Sequence, residues 1–303
     1  MLDLLNKTLK VENNKLIADF TDNSYPIYFI IAQPRGASTL LQQLLTSNLE
    51  LGYISNLLAK FYKAPLFGIE LEKNFIEKNY KSNFLSKYGN TFGINEPHEW
   101  GWFWKEMLSL QGEEHYSKLN DFTKLKQNLL SITNTKKLPL IIDNVFALSN
   151  LIKIQKNLKN IKIINMTRDL YFVCNSIINA RLSKNNDINV FYGHPPKNIN
   201  EVLKIKHPIE QIVFQVKSIQ NEIDDIVQSF NNNTLNIDYE EIYNNSFAVV
   251  NKFHSFVKED NIHLNFKEKH LPILSYRNDT KLINNQYKDD LDFYYNKYFK
   301  EEQ

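Results

Sequence analysis

Apolar residues cluster in short runs, each closed by polar or turn-forming residues and followed by a longer stretch of helical periodicity. The clearest are YPIYFIIA (25–32), LPLIID (138–143) and IKIINMT (161–167), with TFGIN (91–95) and TLNID (234–238) weaker. Runs that are apolar on both faces predict buried parallel strands. Helical spacing is present over 38–49, 54–63, 69–80, 98–110, 118–131, 145–158, 170–182, 208–230 and 241–256, with an aromatic, charged last helix near 284–301. Strands alternating with helices predict an α/β fold whose strands are joined by helical crossovers. No Pro- or Gly-rich linker and no internal repeat interrupts this order, so residues 1–303 are expected to form one domain. The stretch 184–206 is rich in turn formers and is a candidate mobile cover over a site.

Composition narrows the class. The 303 residues carry 36 basic against 34 acidic side chains, a net charge of +2, which gives no electrostatic case for a nucleic-acid-coating protein. Anion binding must therefore be local. The single cysteine, Cys174, excludes an intrachain disulfide framework or a multi-Cys metal site. No apolar run is long enough to span a bilayer, and MLDLLNKTLK lacks the apolar core of a signal peptide, so a cytoplasmic enzyme or binding protein is expected. Only four of the 36 basic residues are arginine (Arg35, Arg168, Arg181 and Arg277), which singles out places needing a planar fork of donors.

Two segments carry candidate chemistry. In YFIIAQPRGASTLLQQLL (28–45) a strand enters a turn with Pro34 and Gly36, and Ser38 and Thr39 open a helix. Backbone N–H groups and a helix dipole then point at one spot, beside the Arg35 charge, where an anion is stabilised. A plain strand–helix turn with a Ser/Thr N-cap is the other reading. GxxxxGK[ST] is absent, so a phosphate or sulfate ester handled without an obligatory metal fits better than a nucleoside triphosphate. In IKIINMTRDLYFVCNSIINARLS (161–183) a strand ends at Arg168 and a helix follows with Ser176, a pair able to clamp a phosphate at the carboxyl edge of the sheet. Alternatively, Arg168 pairs with Asp169 and Ser176 only packs.

Together these segments resemble the sulfotransferase family, which takes its sulfuryl group from 3′-phosphoadenosine 5′-phosphosulfate. Pro34, Arg35, Gly36, Ala37, Ser38 and Thr39 look like that family's 5′-phosphosulfate loop, and Arg168 and Ser176 have the spacing of its 3′-phosphate pair. EPHEWGWFW (96–104) and DYEEIYNN (238–245) extend the resemblance, which runs from about residue 25 to 255. It implies a three-layer α/β/α fold with a central, mainly parallel sheet, like the P-loop nucleoside triphosphatases. It also implies sulfuryl transfer from that donor to a hydroxyl or amine of a small-molecule, sugar or lipid acceptor, with no bound metal. Three departures stand out. Ala37 occupies a position where many members have Gly, Asp143-Asn144 follows a strand where relatives often have Lys, and only SYRND with Arg277 stands in for the C-terminal Arg-Lys-Gly loop.

The resemblance implies that Arg35, the loop N–H groups and the Ser38 and Thr39 hydroxyls face the leaving group. The base must come from elsewhere. Glu96 and His98 rank equally for it, with Glu99 behind; an acidic helix start with core tryptophans is the other reading. Asn56 and Lys60 are candidates to wall the acceptor site, and His194 and the remaining histidines read as surface or core residues. Two other functions are kept: a metal-assisted nucleotide phosphotransferase, and a non-catalytic nucleotide- or anion-binding protein on the same fold.

Overall fold

Runs of β-branched and aromatic residues that are apolar on both sides need cover on both faces, and the chain supplies it. In the computed structural model, which describes residues 1–17, 25–76, 80–273 and 283–300, the strands are β1 (Ile27–Ala32), β2 (Ser86–Lys87), β3 (Asn90–Thr91), β4 (Leu140–Asp143), β5 (Ile161–Thr167) and β6 (Thr234–Asp238). Four of them form one parallel sheet in the order β4-β1-β5-β6. The register sets Ile30 opposite both Asp143 and Ile164, so the carboxyl ends of β1, β4 and β5 open on one edge.

Alternation divides the strand residues between two cores. Tyr28, Ile30, Ile141, Ile164 and Met166 pack with Leu41 and Leu45 of α2 (Ser38–Asn48) and with Val249 and Phe253 of α10 (Tyr239–Lys258). Ile27, Phe29, Ile31, Leu140, Ile142 and Ile163 face the other way, onto Leu151 and Ile154 of α6 (Val145–Asn157) and Ile219 and Ile223 of α9 (Pro208–Phe230). The result is the three-layer α/β/α arrangement expected from the resemblance. Fully burying one such Ile is worth about 1.5–3 kcal/mol, and the buried polar residues of β5 are paired, Lys162 with Asp260 at 2.8 Å and Asn165 with Asn236 at 2.9 Å. A third cluster joins α9 to α7 (Leu170–Asn185) and to the last helix (Lys288–Phe299) through Val173, Ile177, Ile212, Val216 and Leu291.

Local chemistry starts the helices. Asn144 accepts from Ala147 N ahead of α6, Asp169 from Tyr171 N ahead of α7, and Asp238 with Glu241 forms a capping box on α10. Some expectations changed. TFGIN (91–95) adds no strand to the sheet: Gly93 takes φ 122°, and only Asn90–Thr91 pairs, with Ser86–Lys87, in a short hairpin. The helix expected over 54–63 shrinks to one 3₁₀ turn at Leu58–Phe61. A first helix, α1 (Leu2–Ile17), was not anticipated. Its buried side includes Asn6, which donates to Lys60 O, and Asn13, which accepts from Leu66 N, so its inner face is polar and escapes a hydrophobic count. Among the described residues no helix is long and apolar enough to cross a membrane.

Candidate active site

The loop after β1 is shaped by three residues. Gly36 N donates to Gln33 O at 2.9 Å, closing a turn with Pro34 second and Arg35 third; Arg35 takes φ 68°, the left-handed conformation a type II turn demands there. Gly36 is needed for space, since a Cβ would lie 2.8 Å from Gln33 O and 3.1 Å from Ala32 Cβ. Ala37 itself adopts φ 69°, ψ 22°, so the alanine is held left-handed at a cost of roughly 1–2 kcal/mol. This loop launches α2 with no side-chain cap among the described residues, against the plain Ser/Thr-capped reading. Among the described residues no side chain caps its first turn, and Ser38, Thr39 and Leu40 line the cleft, as an anion site requires.

The second segment comes to the same place. Arg168, just past β5, donates from its guanidinium to Arg35 O at 2.7 Å and stacks over the Tyr239 ring at 4.4 Å. Arg35 Nε donates to Ser176 Oγ at 3.2 Å, with its guanidinium 5.2 Å from the Tyr88 ring centroid. Ser176 thus reaches the site through Arg35. Asp169, which sequence alone allowed as the partner of Arg168, uses its carboxylate to cap Tyr171 N. A cleft of about 700 Å³ is bounded by residues 32–40, the 84–89 hairpin, Asp143–Val145, Arg168, Tyr192–His194, Tyr239 and Tyr243.

Carboxylates line the opposite wall. Asp143 ends β4, is 8% exposed, and leaves Oδ2 without a hydrogen-bond partner among the described residues. Burial raises its ionisation well above the ordinary carboxylate range, and the neighbouring Ser38 hydroxyl pulls it partly back. Glu99 is raised too, first by burial and then by the Asp143 charge. Its carboxylate rests against Gly89, where φ is 84° and a Cβ would overlap Glu99 Oε1. Asn144 Nδ2 donates to Glu99 O at 2.7 Å and ties this segment to the end of β4.

The structure does not bring Glu96 or His98 to this cleft. Glu96 is 3% exposed and accepts from Gln43 Nε2, Tyr80 OH, Ser82 Oγ and Asn83 N at 2.7–3.0 Å, so its lone pairs are spent on holding loops together. His98 Nδ1 accepts from Trp100 N at 2.7 Å, and the ring lines a separate pocket with Lys60, Tyr62 and Trp102. Lys60 lies there as well, and Asn56 is bonded to Thr91 Oγ1 and Gly93 O. Trp100 and Trp104 pack in the core as expected, whereas Trp102 is 70% exposed. Sequence reasoning missed Asp143 as a residue of the cleft. Its position at the carboxyl end of a parallel strand was the available signal.

Two histidines also lie in the cleft wall rather than apart from it. His194 Nδ1 and His115 Nδ1 are 3.2 Å apart, and burial pushes their pKa values down to about 3 and about 4, leaving both neutral. His194 belongs to the 184–206 segment, which Gln215 Nε2 fastens to α9 through Tyr192 O and His194 O. Arg181 is away from the cleft, fully buried, donating to Ile188 O at 3.1 Å. Cys174 is buried, which pushes its thiol up and away from reactivity. Arg277 lies outside the described residues.

No protein-family model and no curated protein sequence matches the chain. Solved structures do. Sulfotransferase STF9 from Mycobacterium avium is similar over 90% of this chain and 70% of its own, with TM-score 0.52 and 10% identity. Sulfotransferase STF1 from Mycobacterium tuberculosis is similar over 84% and 72%, with TM-score 0.51 and 11% identity. The chain therefore has the fold of these bacterial sulfotransferases, the one implied by its two arginine-bearing turns.

Proposed function

We propose that this protein is a sulfotransferase that moves a sulfuryl group from 3′-phosphoadenosine 5′-phosphosulfate to a nucleophile on an acceptor molecule. The observation that carries the reading is the bond from Arg168 to Arg35 O, because it brings two anion-binding turns to one cleft. The sulfotransferase fold supports it independently of any single residue.

In this reading the uncapped start of α2, the Ser38 and Thr39 hydroxyls and Arg35 hold the 5′-phosphosulfate, where negative charge grows on the leaving phosphate as the sulfur–oxygen bond breaks. Preorganised donors at that point stabilise the transition state more than the ground state. Arg168, with Ser176 behind Arg35, takes the 3′-phosphate. The proton acceptor is the Asp143–Glu99 pair, not Glu96 or His98. Asp143 lines the cleft, and a buried carboxylate with a raised pKa is a stronger base than an exposed one. Incubating the protein with ³⁵S-labelled donor and a pool of hydroxyl and amine metabolites should yield labelled products by mass spectrometry. Absence of product, together with no binding of 3′-phosphoadenosine 5′-phosphate, would refute the reading.

A further inference from the structure

Among the described residues neither cleft carboxylate forms an ion pair, although Lys87 also lines the cleft. Asp143 Oδ2 is buried without a partner among the described residues, and Glu99 sits near enough to feel its charge. The arginines of the cleft face other groups: Arg35 bonds Ser176 beside Tyr88, and Arg168 bonds the Arg35 carbonyl over Tyr239. His115 and His194 are held neutral by burial. Burying paired acids without compensation is costly, so a cationic ligand that also offers N–H donors would relieve the site.

Proton counting points the same way. A hydroxyl loses one proton on becoming a sulfate ester, and a single carboxylate suffices. An ammonium loses two on becoming a sulfamate, and two carboxylates are present.

We propose that the acceptor is a primary amine, bound as its ammonium between Asp143 and Glu99. The inference rests on the sulfotransferase reading. The ammonium gives its first proton to one carboxylate. The freed nitrogen lone pair then forms the N–S bond as the bond from sulfur to the bridging phosphate oxygen breaks. That electron pair leaves with 3′-phosphoadenosine 5′-phosphate, the new nitrogen gives its second proton to the other carboxylate, and both protons pass to solvent on release. Val145 and Leu148 beside Asp143 offer apolar cover to the carbon body of the amine.

The test uses matched probes, benzylamine with benzyl alcohol and glucosamine with glucose, on the full chain with and without 3′-phosphoadenosine 5′-phosphate. Affinities come from calorimetry and products from assays with the sulfuryl donor. In at least one pair the amine should bind about tenfold or more tightly than its alcohol, the size of one charge-assisted hydrogen bond, and Asp143→Asn should erase that preference. Equal affinities within both pairs, or a preference surviving in Asp143→Asn, would overturn the proposal. Sulfation of the alcohols ahead of the amines would also overturn it while leaving the sulfotransferase reading intact. Failure of that reading shows separately, as no binding of the bisphosphate.

Discussion

The Arg168 guanidinium holds the main-chain carbonyl of Arg35 at 2.7 Å across 133 residues of sequence. One arginine thus fixes the backbone of the loop that carries the other. The cleft is consequently a single unit, and changes on β5 should be felt in the loop after β1.

Arg35→Ala should lower kcat by about 10²–10³-fold, the usual loss when a donor to a developing anion is removed. Its side chain bonds Ser176 and lies beside the Tyr88 and Tyr192 rings, so the melting temperature should move little. Arg35→Lys should recover part of the rate, because a point charge replaces a fork. Steady-state kinetics beside thermal melts separate the two effects.

Activity should fall with pH through a value above the ordinary carboxylate pKa of about 4, since the base must be ionised and burial raises it. Asp143→Asn removes the charge that helps raise Glu99, so the acid limb of the residual activity should move to lower pH. Stability should change in a matching sense. A carboxylate raised in the folded state favours folding while protonated, and that contribution disappears as pH rises through its folded pKa. Asp143→Asn should therefore stabilise at alkaline pH and hardly at all below pH ~4, as melts across pH would reveal.

Gly89→Ala would thrust a methyl into Glu99 Oε1 at a position with φ 84°. The expected outcome is a lower kcat with the affinity for 3′-phosphoadenosine 5′-phosphate retained, and a stability loss of about 1–2 kcal/mol. Unchanged turnover in this variant would remove Glu99 from the proton path.

Glu96→Ala should act on the fold instead. Four donors converge on that buried carboxylate, and deleting it leaves them unsatisfied, for a loss of about 3–5 kcal/mol by chemical denaturation. His98→Ala, in its separate pocket, should leave kcat near that of the unaltered protein.

Much of the architecture was legible because the interior of the sheet is largely apolar on both faces, whereas the edge strand β6 alternates: Ile27–Ala32 and Ile161–Thr167 stand out from any helix in length and β-branching. The turns at Arg35 and Arg168 were legible for a different reason, as rare arginines at strand ends. The base was not. Glu96, His98 and Glu99 lie within four residues, and only the fold decides which one faces the cleft: Trp100 takes φ 58° at the start of its helix, and Gly89 leaves room for Glu99 alone. Asp143 read as a strand terminus because its partner, 44 residues earlier, comes from another layer. Helix α1 was hidden by Asn6 and Asn13, whose buried amides do structural work through hydrogen bonds rather than apolar area.

The most direct measurement is calorimetric titration of 3′-phosphoadenosine 5′-phosphate, adenosine 5′-phosphate and adenosine 3′-phosphate into the wild-type chain, Arg35→Ala and Arg168→Ala. The wild type should bind the bisphosphate most tightly, Arg168→Ala should lose affinity chiefly for ligands with a 3′-phosphate, and Arg35→Ala chiefly for those with a 5′-phosphate. If both variants weaken all three ligands alike, or neither weakens any, the two arginines do not hold opposite ends of one nucleotide.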